Sequence, residues 1–211
     1  MKKIGISLGW NCNGAVFGVN NGLREKKENG YLTCVFDEMV TNFPGIIKCI
    51  EEDFKYFCDT SYLELIKIPD GIEHMNKNGV GDIIIRNNYY HFLFNHESPG
   101  HGDLYIGQKW SGGINHYVDN NYTEFIKRYQ RRIQNFINYL KDENNHIIFI
   151  IHRWDTNNEN IENLHNVLKN KYPNLKYECY FLPIHYDVKI IKDHLEIMGI
   201  DEDDEEIKRL D

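Results

Sequence analysis

The sequence predicts an α/β fold, a single domain whose mainly parallel central sheet is flanked by helices. Three observations predict it. Short apolar runs that suit buried strands, at 3–8, 146–151 and 177–182, alternate with segments whose apolar residues recur every three or four positions. Strands and helices at that spacing imply parallel pairing through right-handed crossovers. The 211 residues are 41% hydrophobic and include 14 Tyr, 11 Phe and 3 Trp; the length suits one large domain, or two small ones, with a substantial core. The expected organisation is one domain over 1–200 and an acidic tail over 201–211.

Taken in order, residues 3–8 form an apolar run that predicts a buried strand, leaving through a turn at Gly9-Trp10-Asn11-Cys12. A short helix is expected over 13–19, closed by Asn20-Asn21-Gly22, and a second strand over 31–36. Thr41 or Asn42 can cap the next helix, with Pro44 tolerated in its first turn. Phe43, Ile46, Ile47, Ile50, Phe54 and Phe57 supply its buried face. Paired strands are expected at 82–86 and 89–94, joined tightly at Asn87-Asn88. A stretch rich in Gly, His and Asn follows over 97–118, and loops of that length usually serve function.

Tyr122, Phe125, Ile126, Tyr129, Ile133, Phe136, Ile137 and Leu140 make one stripe of a long amphipathic helix. The strand at 146–151 leads to a helix marked by Ile161, Leu164, Val167 and Leu168 before Pro173. After the strand at 177–182, a helix over 187–198 is capped by Gly199. No internal repeat or interdomain linker is evident.

Charge and cysteine usage narrow the function classes. The formal net charge is −8, with much of the excess in Asp201-Glu202-Asp203-Asp204-Glu205-Glu206. Overall acidity argues against nucleic-acid binding, which needs clustered cations. No apolar run is long enough for a membrane span, and the opening stretch is too short for a signal peptide. The five cysteines are odd in number, widely spaced and without a CxxC pair, which argues against disulfides or a zinc knuckle. A reducing, cytoplasmic location is expected, where the sequon Asn121-Tyr122-Thr123 is irrelevant. No cofactor is expected.

Cys12 is the first candidate for chemistry. It follows a buried strand and opens a helix, where amides and the helix dipole favour a thiolate and an oxyanion. Buried cysteine is also common as a space-filler. A thiol nucleophile needs an imidazole and a group to orient it. His96, at a strand end opening into the loop, is the best placed; His91 alternates onto a strand face and reads as structural, and His152 ends the 146–151 strand. His96, Glu97, His101 and Asp103 fit no standard zinc spacing. Arg128, Arg131 and Arg132 lie on the polar side of the long helix, as anion ligands or a solvated face. No Walker, GxGxxG, GxSxG or HExxH motif occurs.

Ile6-Ser7-Leu8-Gly9-Trp10-Asn11-Cys12 resembles the opening S-[IL]-G-x-x-C of a domain family of unknown function described as papain-like cysteine peptidases. Further likeness lies in Val35-Phe36-Asp37, in Ile50-Glu51-Glu52-Asp53-Phe54, in His96, in Tyr129-Gln130-Arg131-Arg132-Ile133, and in Ile148-Phe149-Ile150-Ile151-His152-Arg153. Glu97 follows His96 where the family often has Asp, and the segment 26–31 is more polar than the pattern. The resemblance implies Cys12 as nucleophile, His96 as general base, and Asp37 or Asp155 as orienting acid. A papain nucleophile opens a helix too, but does not follow a first parallel strand.

The expectation is therefore a cysteine-dependent hydrolase acting on a peptide or acyl compound, with Asn11, Arg131, Arg132 and Arg153 as substrate-binding residues. The alternative is a non-catalytic or transferase-like domain in which Cys12, Asp37, Arg131, Arg132 and Arg153 hold an anion such as a sugar nucleotide. A third reading, an SGNH-type esterase with Cys for Ser, lacks the late DxxH motif.

Overall fold

The structure, a computed structural model, describes residues 1–72, 83–99, 103–151, 154–182 and 187–200. Its strands are β1 (Lys2–Ser7), β2 (Leu63–Lys67), β3 (Ile83–Asn87), β4 (Phe92–Phe94), β5 (Asn145–Ile151) and β6 (Tyr177–Phe181). Its helices are α1 (Asn13–Asn20), α2 (Phe43–Glu51), α3 (Leu104–Gly107), α4 (Asp119–Lys141), α5 (Asn158–Lys171) and α6 (Val188–Met198). The class is α/β, as the sequence predicts. Contacts group the chain into two compact units: Met1–Lys55 with Tyr129–Ile184, and Tyr56–Arg128 with His185–Asp211.

The first unit holds a parallel sheet in the order β1-β5-β6. Ile4 pairs with Ile147 and Ile147 with Tyr177, so β5 is central. Its Ile147 to Ile151 run is buried throughout, the signature of a strand covered on both faces. Helix α1 lies close on this sheet because Gly14 and Gly18 carry no Cβ; one at Gly14 would sit 2.6 Å from Ser7 Oγ. Asn42 caps α2 by accepting from Gly45 N at 2.6 Å, with Pro44 in the first turn. Phe36, Phe54 and Phe136 then close an aromatic cluster, with ring centroids 5.7–6.1 Å apart.

Two expectations are corrected here. Residues 31–36 form no strand, because Asp37 folds the segment back on itself: its carboxylate accepts from Tyr31 OH at 2.9 Å and from Cys34 N at 2.8 Å. Helix α2 ends at Glu51, short of Phe54 and Phe57, because Asp53 and Phe54 turn left-handed at φ 53° and 60°. The apolar spacing survives as burial without helix.

The second unit holds an antiparallel sheet, β2-β3-β4. The expected pairing of β3 with β4 is present, with Ile85 opposite Phe94. Their connection is longer than a two-residue turn and is built on Asn87, whose Oδ1 accepts from Tyr89 N and Tyr90 N at 3.1 and 2.9 Å. Strand β2 escapes the sequence reading because its burial alternates weakly and leaves Leu65 exposed. Asp187 caps α6, and Gly199 ends it at φ 72°. There Arg86 donates to Ile197 O at 2.9 Å, and His91 Nδ1 lies 3.1 Å from Met198 O, the structural role expected of His91.

The described residues of 97–118 carry α3 and a 3-10 turn at Gly113–Asn115. Helix α4 opens through Asn120, Asn121 and Tyr122, all left-handed at φ 52–61°. Among the described residues no helix is long and apolar enough to cross a membrane. The acidic tail over 201–211 lies outside the described residues.

Candidate active site at the elbow after the first strand

The thiol of Cys12 is placed by a short, strained elbow. Past Ser7 the backbone keeps its hold on β5, with Leu8 N donating to Ile150 O at 3.0 Å. Ser7 Oγ accepts from Gly9 N at 3.1 Å and starts the turn. Gly9 and Trp10 are both left-handed, at φ 77° and 68°. Glycine adopts this freely, whereas a residue with a Cβ is strained by roughly 1–3 kcal/mol. Thr41 holds the strained residue from both sides: Trp10 N donates to Thr41 Oγ1 at 2.9 Å, and Thr41 N donates to Trp10 O at 3.3 Å. The buried Trp10 ring meets Trp154 edge-on, with centroids 5.8 Å apart.

Cys12 then stands as the N-cap of α1, a free and half-buried cysteine whose carbonyl accepts from Val16 N at 3.0 Å. Asn11, expected to bind substrate, has its Oδ1 on Asn13 N at 2.9 Å, which occupies one amide of the helix entrance.

The electrostatics correct one expectation. The thiol is pushed up from its ordinary range by burial; a hydrogen bond with the Cys12 backbone pulls it back in part, and the carboxylate of Glu38 adds a smaller upward push. Glu38 is gripped by Lys27 and by Arg132, whose side chain is 3% exposed and also donates to Tyr129 OH at 3.4 Å. Arg132, expected as a substrate ligand, thus engages a carboxylate of its own chain. Sequence reading missed Glu38 and Thr41, since nothing in their spacing ties them to Cys12.

The other candidates are distributed as follows. Asp37 is fully buried and joined to Arg24 at 2.7 Å, besides Tyr31 and Cys34 N. Asp155 is 4% exposed, and its Oδ2 accepts from Phe43 N at 2.6 Å. Arg131 is exposed on α4. His96 lies half-buried in a 3-10 turn, Asn95–Glu97, directly after β4. The neighbouring Glu97 is wholly buried, 2.8 Å from Arg128 Nε. Arg153, His152 and His101 lie outside the described residues. Among the described residues no three His, Cys, Asp or Glu side chains could hold a metal ion.

Over residues 3–185 the sequence matches the model of a domain family of unknown function described as "putative papain-like cysteine peptidase". The chain belongs to this family. No curated protein and no solved structure matches it.

The papain-like family description draws attention to the cysteines, and these differ sharply. Cys34 and Cys49 are wholly buried. Burial alone pushes Cys58 up to about 12 and Cys179 up to about 11. Cys12 is the cysteine at the N-terminal boundary of a helix, beyond the carboxyl end of a parallel strand, where ligands gather in open α/β sheets. Its thiol, pushed up by burial, can attack an acyl carbon once a base removes the proton.

Proposed function

We propose that the chain is a cysteine-dependent hydrolase of peptide or acyl substrates in which Cys12 is the nucleophile. The observation that carries this is the placement of a partly exposed thiol on the strained Gly9–Trp10 elbow at the entrance of α1. Family membership supports the same reading. His96 is the general base that the resemblance supplies. Cys12 Sγ bonds to the acyl carbon while its proton passes to the imidazole. The amine or alcohol leaves with that proton, and water then releases the acid from the thioester. With burial pushing the thiol up, the base takes the proton during attack.

Of the arginines that the anion-binding alternative calls on, Arg132 is engaged by Glu38, which withdraws one of its ligands.

An acyloxymethyl ketone probe tests the proposal. Covalent labelling at Cys12 in the native chain, abolished by C12A and strongly slowed by H96A, is the expected result. Labelling spread evenly over the cysteines, or unchanged in C12A, would overturn it. Full labelling in H96A would remove His96 from the mechanism.

A further inference from the structure

Three segments close a ring around the elbow. Thr41 holds Trp10 by two hydrogen bonds, 2.9 and 3.3 Å long. Two residues on, Phe43 N begins α2 and donates to Asp155 Oδ2 at 2.6 Å. Asp155 adjoins Trp154, whose ring leans edge-on against Trp10 at 5.8 Å. The circuit runs from Trp10 through Thr41, Phe43, Asp155 and Trp154 back to Trp10. It lies within one compact unit. Asn42 meanwhile satisfies Gly45 N at 2.6 Å, so two side chains divide the first amides of α2 between them.

We infer that Asp155 is a positioning residue for Cys12: by anchoring the start of α2 it fixes Thr41, and through Thr41 the left-handed Trp10 that sets the thiol. This rests on Cys12 being the reacting thiol and adds the device that holds it. A left-handed Trp10 persists only while its surroundings over-determine it. Release of Phe43 N lets the 41–43 segment drift, Trp10 relaxes toward ordinary φ, and the Asn11–Cys12 peptide follows. The role needs an acceptor oxygen on Asp155, not its charge. It therefore differs from an acid that orients an imidazole, for which an amide is a poor substitute.

The test is the pH profile of Cys12 alkylation by iodoacetamide, read site by site by mass spectrometry on the full chain. Among the described residues, the charged group that acts on this thiol is Glu38, itself paired with Lys27 and Arg132, and it stays constant across the variants. D155N keeps an oxygen for Phe43 N, and its profile stays within about twofold of wild type, whereas D155A exposes the thiol and speeds labelling near neutral pH by about tenfold, one unit in the profile. An equal shift in D155N and D155A overturns the inference in favour of a charge role. Unchanged profiles in both overturn it as well. If D155A fails to fold, Thr41 decides: T41S retains the hydroxyl and the wild-type profile, T41V shifts it, and an unshifted T41V overturns the inference. Alkylation needs no turnover. A chain inert to the acyl probe but responsive to D155A loses the hydrolase reading and keeps the positioning one.

Discussion

Two thiols of the first unit each feel a carboxylate, Asp37 for Cys34 and Glu38 for Cys12, and their surroundings are opposite in character. Around Cys34 everything is closed. Asp37 takes Arg24, Tyr31 and the Cys34 amide, Arg24 lies 4.1 Å over the Tyr31 ring, and both Cys34 and Tyr31 are pushed well above their usual range by burial. Cys12, by contrast, is a half-buried residue on a backbone turn that is strained and externally held. The comparison teaches that a thiol, a carboxylate and a guanidinium in proximity do not make a reactive site. A saturated cluster is architecture; an accessible thiol on a held elbow is available for chemistry.

The largest expected effect breaks the closed cluster. D37A leaves Arg24, whose side chain is 6% exposed, as an uncompensated buried charge. Such a loss costs roughly 3–5 kcal/mol. Chemical denaturation reads it as a lowered midpoint, and an unchanged midpoint with lost probe labelling would make Asp37 the orienting acid after all. Next comes G14A, whose Cβ would meet Ser7 Oγ at 2.6 Å. Overpacking of this kind costs about 1–3 kcal/mol and should also change Cys12 labelling by moving α1.

Raising the pH sharpens the contrast between the two thiols. Groups held neutral by burial stabilise the fold below their ordinary pKa, and that contribution is lost as pH climbs toward the folded value. For Cys58, pushed up to about 12, and Cys179, pushed up to about 11, the loss runs from the ordinary thiol range upward. Cys12 labelling should rise through that range in the native chain, while Cys34 should label only with unfolding. The smallest effect is that of E38Q. Removing the carboxylate lowers the Cys12 thiol, and labelling below its midpoint should quicken by about two- to fivefold, equivalent to a few tenths of a pKa unit. A slower E38Q would show Glu38 acting by holding Arg132 rather than by its charge.

Much of the frame was legible in the chain. The apolar run of β5, the cap Asn42, and Gly199 after α6 each carry a local signal that tertiary packing respected. Periodicity misled where a polar side chain outbid it. Asp37 folds 31–36 into turns, and left-handed Asp53 and Phe54 stop α2 although Phe54 and Phe57 keep helical spacing. At the site, Cys12 was legible from its place after an apolar strand. Its electrostatic state was not, because Glu38 lies 26 positions later and burial is a property of the assembled unit.

By itself the sequence determined the α/β alternation, the strand that leads into Cys12 and the family to which the chain belongs, because hydrophobic period, caps and short motifs are written in neighbouring residues. Only the tertiary structure decided which charges neutralise one another and what holds the elbow. Arg132 finding Glu38, and Asp155 finding the first amide of α2, join residues 94 and 112 positions apart, and no local pattern encodes such meetings.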